Sequence, residues 1–108
     1  MPTLTQIEHL LGPVSAIPKG EGRVFRIDGD EIAVFHTRKG EVYATQAECP
    51  HRQAPLADGL LGGTTLICPF HAWKFDLRTG AALMGDCGLQ IYPVRLTSDG
   101  EMMLTTEE

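Results

Sequence analysis

The sequence predicts an all-β fold. Three observations carry that expectation. No stretch keeps a 3.6-residue apolar period long enough for an amphipathic helix. Short runs of β-branched, aromatic and aliphatic residues recur between Asp-Gly and Lys-Gly pairs, dipeptides that suit hairpin turns. The chain has no Asn, so its turns rest on those pairs.

Residues 3–8 (Thr-Leu-Thr-Gln-Ile-Glu) are expected to form a first strand. Pro13 and Pro18 confine the next segment to a bend or one helical turn. Lys19-Gly20-Glu21-Gly22 is a turn. Its Gly-x-Gly lacks a third glycine, a preceding buried strand and a long following helix, so it is not a phosphate loop. A meander follows, with strands at 23–27, 31–37 and 41–45 and turns at Asp28-Gly29 and Lys39-Gly40. Val24, Phe25, Ile27, Ile32, Val34, Phe35, Val42 and Tyr43 give those strands their bulk.

Residues 46–82 differ in character. They hold the only Trp, three prolines and four glycines. Strands are expected at 64–68 and 73–76, with a turn at Arg78-Thr79-Gly80. This has the pattern of a small β-subdomain inserted into a larger β-domain: a base of 1–45 and 83–108, and a subdomain of 46–82. Residues 83–89 read as a loop. Residues 90–96 read as a strand, 98–100 as a turn, 102–105 as a returning strand, and 106–108 as a fraying end.

The 108 residues fit one domain, and 43% hydrophobic with 21% charged residues is ordinary for a folded core. A core of this size stabilises only marginally, so a metal joining two loops would help. The net charge of −5, with no basic tract, argues against nucleic acid or an anionic membrane and allows a basic protein partner. The longest aliphatic run, residues 32–35, is too short to span a bilayer. The N-terminus has neither a basic nor an apolar leader pattern, and three cysteines do not make a disulfide framework. The cytoplasm is the expected compartment.

Within the insertion stand Cys49-Pro50-His51, sixteen further residues, and Cys68-Pro69-Phe70-His71. Two soft thiolates and two imidazoles at close spacing point to a metal site. Residues two apart on an extended chain, or three apart on a tight turn, can reach neighbouring metal atoms. Two such loops facing each other place Cys49 and Cys68 on one metal and His51 and His71 on a second. A single tetrahedral zinc ion held by all four is the alternative, although zinc sites more often use Cys-x2-4-Cys knuckles. Visible absorption separates the two. A thiol catalyst activated by histidine needs only one such pair.

The pattern Cys-Pro-His-(16)-Cys-Pro-Phe-His resembles the Rieske motif. The flanks agree: Ala54-Pro55-Leu56-Ala57-Asp58-Gly59, Trp73-Lys74-Phe75-Asp76 and Tyr92-Pro93-Val94-Arg95. The likeness covers about residues 20–105. It implies a Rieske-type (ISP) fold, an antiparallel β-sandwich or barrel base carrying the cluster-binding subdomain. It also implies a [2Fe-2S] cluster ligated by Cys49, His51, Cys68 and His71. Such a protein transfers single electrons and has no catalytic site of its own.

High-potential Rieske proteins carry a Ser just after the second ligand pair and a disulfide between the ligand loops. Here Ala72-Trp73 follows His71, and Ala54 and Phe70 stand where the disulfide cysteines would fall. The resemblance therefore implies the low-potential ferredoxin group. Gly22-Arg23-Val24-Phe25, Ile32-Ala33-Val34-Phe35, Cys49-Pro50-His51-Arg52 and Gly85-Asp86-Cys87-Gly88 look most like the small subunit of NAD(P)H-dependent assimilatory nitrite reductases. That implies a large nitrite reductase subunit as partner. The alternative is a ferredoxin passing electrons from a flavin reductase to a ring-hydroxylating dioxygenase.

Other residues take plainer readings. Trp73 packs under the second ligand loop. His9 and His36 lack ligand neighbours and sit on the surface or on strands. Cys87 is a small buried residue or a thiol close to the cluster, and its loop lacks the proline usual in Rieske ferredoxins. Arg52 is a solvated charge or one that stabilises the reduced cluster or docks an acidic partner. Pro50 and Pro69 stiffen their loops.

Overall fold

The computed structural model describes residues 6–48, 55–68, 73–84 and 88–107. Eleven strands run through them: β1 (Gln6–Pro13), β2 (Glu21–Ile27), β3 (Asp30–His36), β4 (Val42–Gln46), β5 (Leu60–Gly62), β6 (Thr65–Ile67), β7 (Lys74–Asp76), β8 (Ala82–Met84), β9 (Ile91–Tyr92), β10 (Val94–Leu96) and β11 (Glu101–Glu107). Two 3₁₀ turns, Val14–Ala16 and Leu56–Asp58, complete the described secondary structure. The fold is all-β. Among the described residues no helix is long and apolar enough to cross a membrane.

The strands form three antiparallel sheets, ordered β1-β11-β10, β2-β3-β4-β9 and β5-β6-β7-β8. The meander lies in the middle sheet. Its Asp28-Gly29 turn has positive φ at both residues, 51° and 88°, the geometry that matches strand twist in a two-residue hairpin.

Strand β3 shows why this sheet lies in the middle. Successive side chains point to opposite faces. Ile32 and Val34 enter one core with Val42, Ala44, Met102 and Leu104, which joins the middle sheet to β1-β11-β10. Ala33 and Phe35 enter a second core with Leu56, Leu66, Phe75 and Leu77, which joins it to β5-β6-β7-β8. A strand apolar on both faces is the pattern of one covered from both sides.

Four local expectations change. The first strand, expected over 3–8, runs on to Pro13; it is described from Gln6, and residues 3–5 lie outside the described residues. Residues 106–107 do not fray, because β1 pairs with them: Ile7 lies opposite Thr106 and Gln6 opposite Glu107. The strand expected over 90–96 breaks at Pro93, which has no N–H to continue a ladder. Tyr92 pairs with Ala44 in the middle sheet, whereas Val94 pairs with Leu104 in the outer one. Within the expected 83–89 loop, residues 83–84 belong to β8, and 85–87 lie outside the described residues. Strand β5 was not expected. Three residues containing a glycine show no periodicity, yet they pair with all of β6.

Candidate metal centre

Among the four candidate ligands, Cys68 lies within the described residues; Cys49, His51 and His71 lie outside them, as do Pro50, Arg52, Pro69 and Cys87. Cys68 follows directly on β6, where Ile67 pairs with Lys74 of β7. Its N–H donates to the carbonyl of Trp73 at 2.9 Å, extending the hairpin ladder one step. The side chain is 3% exposed and packs in the core of Phe35, Leu56, Leu66, Phe75 and Leu89. Trp73 packs against the same core, with its ring centroid 6.3 Å from that of Phe75.

The chain on either side of residues 49–54 is held just as closely. Glu48 and Pro55 form a β-bridge, and the Leu56 N–H donates to the Ala47 carbonyl at 2.9 Å. Leu56 is fully buried in the core that holds Cys68. Gly59 allows this approach. A Cβ there would run into the Ile67 carbonyl, one residue before Cys68. The bases of both segments that carry the candidate ligands thus rest on one apolar core.

Residues 88–90 tie the third sheet to the middle one. The Leu89 N–H donates to the Gly80 carbonyl at 2.7 Å, and the Gln46 N–H donates to the Gln90 carbonyl at 3.0 Å. Gly80 sits at φ +79°, where a Cβ would also collide with the Leu89 carbonyl. Gly80→Ala should therefore cost about 2–4 kcal/mol, combining left-handed strain with a backbone clash. Urea unfolding measures this, and a loss under about 1 kcal/mol would contradict the close approach.

The turn between β7 and β8 carries an ion pair. Arg78 donates to Asp76 through its backbone N–H at 2.9 Å, and through Nε and Nη2 at 3.2 Å each. The guanidinium bonds, then the backbone bond, hold the Asp76 carboxyl below its ordinary pKa. A carboxyl lowered on folding contributes stability that is complete above its unfolded pKa, about 4, and is lost as pH falls through the lower folded value. Acid titration of the wild type should show this loss below about pH 4, and Asp76→Asn should abolish that part of it. Arg78 is largely exposed, so solvent screening keeps the contribution at neutral pH small.

His9 and His36 are on strands, as expected, and serve elsewhere. His9 Nε2 lies 2.9 Å from Thr106 Oγ1, and His36 Nδ1 donates to the Ile17 carbonyl at 2.7 Å. Among the described residues no three His, Cys, Asp or Glu side chains group to hold a metal. Sequence reasoning missed Gln46, Gly59 and Gly80. The glycines gave a weak signal as turn residues, and Gln46 gave none, since its role lies in partners 2 and 44 residues away.

A family model described as the Rieske [2Fe-2S] domain matches residues 8–93. Over 89 residues the chain is 35% identical to the naphthalene 1,2-dioxygenase system, ferredoxin component, of Pseudomonas aeruginosa, covering 81% of this chain and 85% of that protein. A shorter likeness, 47% over 51 residues, is to the 4beta-methylsterol monooxygenase of Methylococcus capsulatus; it covers 47% of this chain and only 14% of that protein. The crystal structure of a protein described as an NADH-dependent nitrite reductase small subunit from Mycobacterium tuberculosis superposes with a TM-score of 0.87 at 22% identity. That match covers 94% of this chain and 96% of the other, and at this identity it is a likeness of fold.

Proposed function

The chain belongs to the Rieske [2Fe-2S] domain family, and from that premise we propose that Cys49, His51, Cys68 and His71 hold its cluster, the cysteines on one iron and the histidines on the other. The cofactor is a Rieske-type [2Fe-2S] cluster and the general function is that of an electron-transfer ferredoxin. When bound, the cluster takes up and returns one electron. The observation that carries the ligand assignment is Cys68. Its segment and the one that resumes at Pro55 rest on a single apolar core, as two segments sharing one cluster require. The apolar core at Cys68 keeps water from that sulfur. The hairpin and the Glu48–Pro55 bridge fix where the two segments begin and end. The three-sheet arrangement supports a division into a base and an inserted cluster-binding subdomain, expected as 1–45 with 83–108 and as 46–82; the sheets themselves divide after Gln46 and after Met84.

For the redox system, the ferredoxin reading comes first: a carrier from a flavin reductase to a ring-hydroxylating oxygenase. Its support is 35% identity over most of both chains to a dioxygenase-system ferredoxin. The nitrite reductase small-subunit reading is favoured by the sequence clusters around residues 22–25, 32–35, 49–52 and 85–88. The fold likeness at 22% identity adds no weight to function. Reconstitution tests both. A carrier stays monomeric alone and is reduced by a flavin reductase and reoxidised by an oxygenase with substrate. A subunit co-purifies with a large partner and supports nitrite-dependent NAD(P)H oxidation. Stable capture of that large partner, with no transfer to an oxygenase, would reverse the order. A cytoplasmic site of action accords with either system.

A further inference from the structure

The side chain of Gln46 makes two hydrogen bonds at the base of the first candidate ligand segment, one local and one to a residue 44 positions away. Its Nε2 donates to the Glu48 carbonyl at 2.7 Å, and its Oε1 accepts from the Gln90 N–H at 2.9 Å. The two partners, one acceptor and one donor, fix which end of the amide is which. The backbone N–H of the same residue donates to the Gln90 carbonyl at 3.0 Å. Gln46 is the last residue of β4, three positions before Cys49. Gln90 ends the segment whose Leu89 is anchored on Gly80 of the third sheet.

We propose that Gln46 is a positioning residue for the cluster, fastening the start of the Cys49–His51 segment to the 88–90 segment that bridges the two sheets. This rests on the ligand assignment above. The physical reason is the local environment of Glu48. The amide occupies its carbonyl from within the chain, so the backbone entering residue 49 is held in one orientation. Gln90 occupies the other end of the amide, so the end of β4 is tied to the 88–90 segment that reaches the third sheet. No apolar or shorter side chain can make both bonds at once. A carboxylate can keep only the Gln90 bond, and it would set its charge against the Glu48 carbonyl.

The test uses purified, cluster-loaded wild type, Gln46→Leu and Gln46→Glu, with Cys49→Ser beside them. Three quantities are read: iron release to a chelator, the EPR line shape of the reduced protein, and hydrogen exchange at the Gln90 amide. Both Gln46 variants should release iron faster than wild type, by on the order of tenfold for Gln46→Leu, with broadened EPR features. The Gln90 amide should lose protection in Gln46→Leu and keep it in Gln46→Glu. That split between variants is not produced by a general loss of stability. Wild-type iron release and line shape in both Gln46 variants overturn the proposal. A Cys49→Ser protein that keeps its full iron content and spectrum overturns the ligand assignment instead. Should Gln46→Leu fail to fold, the iron release of Gln46→Glu alone decides.

Discussion

Cys68→Ser should give a protein that has lost its visible absorption and its bound iron while keeping β-sheet far-UV circular dichroism. The prediction depends on what the side chain does in two places. As a thiolate it is one of two that bind one iron in the proposed site, and serine, a far weaker acid, does not replace it at neutral pH. As a buried residue it fills a site between Leu66, Phe75 and Leu89, where a hydroxyl of similar size is tolerated sterically. Serine does carry a polar group into that core, so the melting temperature should also fall. The strands do not depend on the sulfur, because the hairpin bond at this residue comes from its backbone N–H. Cys87→Ser serves as the control and should remain coloured. Retention of the full spectrum by Cys68→Ser would remove Cys68 from the ligand set, whatever the fold.

The parts of this molecule that were readable in advance are those written in local pattern. The β2-β3-β4 meander followed from runs of β-branched and aromatic residues between Asp28-Gly29 and Lys39-Gly40. The Rieske resemblance was legible in residue types and spacing, and the family match agrees with it. What the sequence concealed is contact between distant residues. The continuation of β11 to Glu107 depends on Gln6 and Ile7 across the chain. The break at Pro93 was visible as a residue, but its meaning, a strand passing from one sheet to another, depends on Ala44 and Leu104. Strand β5 exists because β6 is beside it. Gln46 looks like any strand-end amide until residue 90 is placed opposite. Local residues therefore signalled the family, and pairs far apart in sequence decided how the strands are joined.

His71→Cys should lower the midpoint potential by roughly 100 mV or more, toward the value of about −400 mV typical of all-cysteine plant-type centres. Two thiolates leave the oxidised di-iron core near neutral, so an added electron meets little negative charge. A third thiolate begins from a negative excess and disfavours that electron. Hydrogen bonds to the cluster sulfurs act in the opposite direction by stabilising the reduced state. The wild type lacks the hydroxyl that follows the second ligand pair in high-potential proteins, since Ala72 and Trp73 stand there. Its own midpoint should accordingly fall in the lower part of the interval from about −150 to +300 mV. A redox titration followed by visible absorption measures both values. An unchanged midpoint at full cluster occupancy excludes His71 as a ligand. A strongly positive wild-type midpoint contradicts the low-potential assignment while leaving the ligands in place.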